Sequence, residues 1–205
     1  TGELERRVRA GAITESVTIQ PSKPENGTRD VNVRVEEGQT GSVLFGAGIG
    51  SNTGIIGNFI YDQRNFDIAD LPESWGELFR GDAFKGAGQR FRLSLAPGTE
   101  QSRFSATFTE QYLFDQPVLF RVGASRFERL QEAYDEGRTK GAVTLEKRYA
   151  NEWERGLGFR VENVSVDDID NNAPQEIFDD EGDNLLVGPS LFVGRDTTND
   201  VYLPS

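Results

Sequence analysis

The segment VNVRVEEGQTGSVLFGAGIG, residues 31–50, decides the fold of this chain. Apolar and polar residues alternate within it in two runs, 31–37 and 42–49, which are joined by a short charged link that contains glycine. Alternation with a period of two predicts strands that have one apolar face. The second run is rich in glycine, which weakens the interior of a strand and is uncommon in the sheets of soluble proteins. We therefore expect a small domain that leads into a membrane β-barrel.

Alternation recurs through the rest of the chain. Short strands are predicted over 15–20 and 30–36, and about eight more follow between 41 and 195. The polar positions in the later strands are mostly arginine, glycine, serine and threonine, as in RFSATF at 103–108. Such a face suits a water-filled lumen, and brief links that alternate with longer ones are typical of bacterial outer-membrane barrels. The predicted fold class is all-β, an antiparallel meander that forms the first half of a transmembrane barrel after the end of a small α/β module.

Composition excludes several kinds of function. The chain contains no cysteine and no histidine, which removes disulfides, thiol nucleophiles, histidine-based triads and most zinc sites. A net charge of −12 argues against nucleic acid or anionic lipid as the main partner. We expect neither an enzyme nor a bound cofactor. Because methionine is absent, we interpret the sequence as an internal piece of a longer chain.

An acidic segment at 167–183 admits two interpretations. Its oxygen-bearing side chains could bind calcium, although their order lacks the spacing and central glycine of an EF-hand loop. A solvated extracellular loop is the interpretation that we favour. The carboxylates concerned are Asp167, Asp168, Asp170, Glu176, Asp179, Asp180, Glu181 and Asp183.

Residues 66–84 interrupt the strand pattern and predict a short helix. Asp70 could cap it, Pro72 suits its first turn, and Gly76 weakens it. Four apolar residues are spaced to share one helical face: Leu71, Trp75, Leu78 and Phe79. One interpretation is a periplasmic helix at the membrane interface, or a dock for an accessory lipoprotein. The other is a loop that packs on the barrel rim.

Three stretches in order resemble BamA-type outer-membrane assembly factors. The first, VRVEE at 33–37 followed by TGSVLFGAG at 40–48 and SNTG at 51–54, is similar to the junction of the last POTRA domain with the first two barrel strands. The second is TEQYLFD at 109–115, and the third is GRDTTND at 194–200 with LPS at 203–205. The resemblance spans nearly the whole chain. It implies that residues 1–37 end the last POTRA domain and that 38–205 form the first half of the barrel.

Two departures from the family pattern stand out. Gln111 replaces an expected proline, and a tight N-x-x-G-x-G turn is split, because an insertion of about twenty residues separates Asn65 from Gly86-Ala87-Gly88. The sequence also lacks a counterpart of the second half of the barrel.

The resemblance implies a protein of the bacterial outer membrane, with a periplasmic N-terminal segment, that folds and inserts other outer-membrane proteins. Its expected partners are unfolded outer-membrane proteins, accessory periplasmic lipoproteins and outer-membrane lipid. The first barrel strand would act as a lateral gate, with the residues Ser42, Val43, Leu44, Phe45, Gly46, Ala47 and Gly48, and the hinge to the POTRA domain would be Glu36, Glu37 and Gly38.

Two questions stay open at this level. The glycines at 46, 48 and 50 either weaken the gate strand or only relieve crowding inside the barrel. The function is either that of an assembly factor, that of a related two-partner secretion or TamA-like translocator, or that of a soluble β-sandwich binding module.

Overall fold

The structure is a computed structural model of the 205-residue chain and describes residues 14–21, 31–51, 53–80, 83–149 and 153–195. The chain divides into two compact units. One unit contains residues 1–42 and 63–88, and the other contains 43–62 and 89–205.

Within the first unit, two antiparallel strands form a small sheet, β1 (Thr14–Pro21) and β2 (Val31–Glu37). Val17 is the register partner of Val35, and Ile19 is that of Val33. Both strands were predicted from the sequence. The turn expected between them, at 21–27, lies almost wholly outside the described residues.

Eight further strands form one sheet in which every strand pairs with its neighbours in sequence. This order is an uninterrupted meander without Greek-key crossovers, as predicted. The strands are β3 (Gly41–Gly50), β4 (Gly54–Phe66), β5 (Gln89–Ala96), β6 (Gln101–Glu110), β7 (Val118–Leu130), β8 (Asp135–Arg148), β9 (Trp153–Asp167) and β10 (Gly182–Arg195).

The register from β5 to β10 separates the two faces of this sheet, because side chains of register partners lie on the same face. One row of partners crosses all six strands with an apolar residue at every position: Phe91, Phe108, Val122, Val143, Phe159 and Pro189. The row one residue away, on the opposite face, is Arg92, Thr107, Gly123, Ala142, Arg160 and Gly188. The alternation predicted from the sequence therefore continues across the sheet.

The apolar face is exposed. Leu157 retains 60% of its surface, Val187 56% and Leu191 80%. The only buried apolar side chain among the described residues is Phe66, whereas Asp62, Gln63 and Asn65 are buried although they are polar. A soluble sandwich would place its apolar rows in a core, so an apolar sheet face without a cover among the described residues points to a nonaqueous surrounding.

Short helical segments lie in the links between strands. They are α1 (Trp75–Arg80), a 3-10 turn (Leu113–Asp115) and α2 (Gln175–Asp179). In the part of the chain that the structure describes, no helix is long and apolar enough to cross a membrane.

The helix predicted in the insertion begins later than the sequence suggested. Asp70 does not cap it: its carboxylate Oδ2 accepts the backbone N–H of Lys85 at 3.1 Å instead. Ser74 takes the capping position, since its Oγ lies 3.3 Å from the backbone N of Glu77. Pro72 precedes the helix rather than lying in its first turn.

Candidate functional site

Strand β3 lies at one end of the eight-stranded sheet, and β10 lies at the other. Among the described residues, β3 pairs with β4 alone. One row of its backbone N–H and C=O groups therefore has no strand partner in this part of the chain. Each unpaired backbone group costs several kcal/mol in hydrocarbon, so a strand edge within a membrane is strongly favoured to pair with another strand.

The glycines of β3 are not crowded by the neighbouring strand. A Cβ atom added at Gly46 would lie 3.8 Å from Cβ of Asn58, and one added at Gly48 would lie 3.8 Å from Cγ2 of Ile56. Both distances are ordinary van der Waals contacts. Gly50 differs, because a Cβ there would meet the hydroxyl of Thr53 at 2.5 Å. Crowding by β4 therefore does not explain glycine at 46 or 48, whereas the close atom at Gly50 belongs to a residue of the following turn.

The other face of β3 carries its large side chains. Val43, Phe45, Ala47 and Ile49 share this face, and Phe45 packs on Phe59 of β4 with ring centroids 5.1 Å apart. Phe45 still retains 73% of its surface. Ser42 and Leu44 alternate onto the glycine face. Besides its backbone pairing with β4, the strand thus has one aromatic contact with that neighbour.

The residues predicted as a hinge lie at the end of β2 and just after it. Glu36 and Glu37 are the last two residues of that strand, where they pair with Ser16 and Thr14. Gly38 begins the link to β3. After this link, the carbonyl of Thr40 accepts the N–H of Arg64 at 2.9 Å.

A buried ionic cluster between β4 and β5 was not foreseen. Asp62 is 7% exposed and binds Arg90 through two bonds, Nε to Oδ1 at 2.9 Å and an Nη2 to Oδ2 bond at 2.6 Å. Arg92 approaches the same carboxylate at 3.5 Å. The sequence shows that Arg90 and Arg92 share the polar face of RFRL, but it does not show that Asp62 lies opposite them.

The turn that the insertion splits in sequence is closed in the structure, because Asn65 contacts Gly86 and Gly88. The carbonyl oxygen of Asn65 accepts the N–H of Gly86 at 3.1 Å, and its side-chain Oδ1 accepts the N–H of Gly88 at 2.9 Å. Gly86 and Gly88 have φ of +126° and +70°, conformations that suit glycine. Phe66 stacks on Phe84, with centroids 5.4 Å apart and planes within 8°. Residues 65–66 and 84–88 therefore form a closed base from which the insertion begins and at which it ends.

Two of the four predicted apolar residues of the insertion can be placed. Leu71 is 68% exposed and Trp75 is 77% exposed. Leu78 and Phe79 belong to α1, but their side chains lie outside the described set. The exposed pair gives the insertion an apolar surface.

The acidic segment contains no convergence of metal ligands within the described residues. Two of its carboxylates accept hydrogen bonds from amide groups. Asp183 accepts the side-chain amide of Asn163 at 2.8 Å, and Asp170 accepts the backbone N–H of Asn172 at 2.9 Å.

An exposed apolar face, an opposite polar face with ion pairs and an uninterrupted meander together define the class: a segment of a transmembrane β-barrel. Residues 84–205 match the Omp85 superfamily domain. The chain belongs to the Omp85 superfamily.

Two relatives give the comparison more detail. The chain is 24% identical over 197 residues to the outer membrane protein assembly factor BamA of Neorickettsia risticii (strain Illinois), a match that covers 93% of this chain and 24% of that protein. The fold is similar to a crystal structure of BamA from Haemophilus ducreyi lacking POTRA domains 1–3, with a TM-score of 0.60 at 16% identity. That match covers 99% of this chain and 39% of the other. The chain thus spans about a quarter of the first relative's length.

Proposed function

We propose that this chain is part of an outer-membrane assembly factor that inserts β-barrel proteins, and that β3 is the mobile side of its lateral gate. The observation that carries the proposal is the edge of β3, a glycine-rich strand at the end of a sheet whose apolar face is exposed. An incoming strand would pair with this edge through backbone hydrogen bonds. Because backbone pairing does not depend on side chains, one edge could serve many substrates.

The arrangement of the chain in the membrane follows from the same proposal. Residues 1–37 would end the last POTRA domain on the periplasmic side, and 38–205 would begin the barrel. Glu36, Glu37 and Gly38 would form the hinge between them. Strand counting then places the links 67–88, 111–117 and 149–152 on the periplasmic side, and the links 51–53, 97–100, 131–134 and 168–181 outside.

The partners in this proposal are unfolded outer-membrane proteins, outer-membrane lipid and accessory periplasmic lipoproteins. The exposed Leu71 and Trp75 of the insertion offer an apolar surface on the periplasmic side. With Leu78 and Phe79, they would contact either the membrane interface or a lipoprotein. Amphipathic aromatic side chains such as tryptophan favour the lipid headgroup region, which supports a contact with the membrane interface rather than with a lipoprotein.

A reversible lock tests the gate. Cysteines replace Leu44, or Ser42, and the residue that faces it on the final barrel strand of the full-length protein. Oxidation should stop growth of a strain that depends on this protein, and a reductant should restore it. A matched lock with cysteines at the register partners Val122 and Val143, between β7 and β8, should leave growth unchanged.

Normal levels of outer-membrane proteins in a strain with a fully crosslinked gate would reject the proposal. That result would favour a translocator or a passive pore. Loss of growth with both locks would show that the disulfide harms the barrel in general and would also count against a specific gate.

A further inference from the structure

A basic and aromatic patch lies where β8 and β9 are linked, on the apolar face of the sheet. Lys147 follows Leu145 by two residues, and Arg155 precedes Leu157 by two. Leu145 and Leu157 are register partners, and so are Lys147 and Arg155. The two cations therefore lie opposite each other on the face that carries the exposed apolar rows.

Both cations lie over one aromatic ring. Nζ of Lys147 is 5.7 Å from the ring centroid of Tyr149, and Cζ of Arg155 is 5.4 Å from it. In the adjoining row, Cζ of Arg195 is 5.9 Å from the ring centroid of Trp153. Aromatic side chains at the ends of barrel strands mark the membrane–water interface. The patch therefore lies at the depth of lipid headgroups.

Neither cation forms an ion pair in the part of the chain that the structure describes, and the neighbouring carboxylate of Glu146 pairs with Arg121 at 3.6 Å. Like charges directly opposite in an antiparallel pair destabilise the sheet. On the other face of the same two strands, by contrast, Arg148 binds Glu154 at 2.6 Å. A bound anion would remove the repulsion between Lys147 and Arg155.

An apolar groove of about 450 Å³ adjoins the cations. Leu145, Leu157, Leu191 and Val193 line it, and all four are exposed. Anionic charge beside a hydrocarbon chain is the chemistry of a phospholipid. The net negative charge of the chain argues against anionic lipid only as an average, and this patch is locally positive.

We infer that Lys147 and Arg155 bind the headgroup phosphate of a membrane phospholipid, with one acyl chain along the groove. The inference rests on the proposed membrane location and does not depend on the lateral gate. It assigns to β8 and β9 a lipid site at a distance in sequence from the gate strand.

Native mass spectrometry of the full-length protein, released from detergent, tests the site. The probes are dioleoyl-phosphatidylglycerol and dioleoylglycerol, which differ in the phosphate headgroup. The double variant K147Q/R155Q should bind phosphatidylglycerol about thirtyfold more weakly, the order expected from two cations at a membrane surface. The conservative variant K147R/R155K should bind within about twofold of the wild type, because it keeps both charges.

The matched control is R126Q/R138Q, which removes two arginines that already pair with Glu128 and Glu136. It should bind phosphatidylglycerol as the wild type does. Folding of every variant is checked by its heat-modifiable mobility. If K147Q/R155Q does not fold, the single variants carry the test, each with about a fivefold loss.

Four results would overturn the inference. They are unchanged binding by K147Q/R155Q, an equal loss in the control, equal binding of dioleoylglycerol and phosphatidylglycerol, and displacement of the lipid by millimolar inorganic phosphate, which would indicate a free-anion site. Failure of the membrane proposal is seen separately, as failure of the wild-type protein to insert into phospholipid vesicles.

Discussion

Replacing Gly46 and Gly48 with alanine should stabilise β3, the proposed gate strand, and slow the assembly of outer-membrane proteins. The structure offers room for both methyl groups, since each would lie 3.8 Å from a side-chain atom of β4. Neither residue has the positive φ that would strain an alanine. The substitution therefore changes the flexibility of β3 without a clash against its described neighbour.

The size of the effect follows from the entropy of the unfolded strand. Each glycine-to-alanine change at a compatible site stabilises by about 0.4–1 kcal/mol, so the pair should contribute about 1–2 kcal/mol. If that energy favours the β3–β4 pairing, the population with β3 detached should fall by roughly tenfold, since 1.4 kcal/mol is a factor of ten. Backbone amides of β3 should then exchange with deuterium about tenfold more slowly in the full-length protein.

The matched control is the pair Gly141→Ala and Gly188→Ala in β8 and β10. An added Cβ at either position would meet no atom within 4 Å. These changes should leave both amide exchange in β3 and assembly unchanged. Slower exchange in β3 with normal assembly would refute the argument that flexibility of this strand matters. Faster exchange would show that the glycines relieve crowding after all.

Three further outcomes are expected. Asp62→Asn should lower the free energy of unfolding of the full-length barrel in urea by about 2 kcal/mol, less than the usual cost of breaking a buried pair because its arginines are half exposed. The control Glu146→Gln should cost under about 1 kcal/mol, and equal costs would contradict the role of burial. Replacing 67–84 with Asn-Gly should leave the barrel folded, as heat-modifiable mobility would report, because a two-residue turn closes an antiparallel pair. On intact cells, a cysteine at Asn172 should react with an impermeant maleimide and one at Gln116 should not; equal labelling would contradict the topology.

The strands could be predicted because their apolar face is continuous along the chain. A residue such as Phe159 is apolar whether its surroundings are lipid or a protein core, so the period of two is visible in either case. Strand ends were harder to place. β7 and β8 continue through Arg126 and Arg138, where the side chains pair with Glu128 and Glu136 and the apolar alternation is lost. Backbone pairing extends the ladder there without a pattern in the sequence.

The features that the sequence did not reveal depend on contacts between distant residues. Asp62 and Arg90 are 28 positions apart, and only the register of β4 and β5 brings them together. The start of α1 was misplaced for the same reason. Asp70 has the chemistry of a helix cap, but the return of the chain at Lys85 offers it a different N–H group.

The base of the insertion separates two parts of the proposed function. Asn65 and Gly88 make the contacts of a tight turn although 22 residues lie between them, so the path of β4 into β5 does not depend on what the excursion contains. Closing a longer loop costs only about 0.6 kcal/mol for each doubling of its length, which a retained turn can offset. In the proposed function, the apolar surface around Trp75 would then be free to vary for contacts with lipid or a partner, while the glycine edge of β3 would keep the geometry that strand pairing requires.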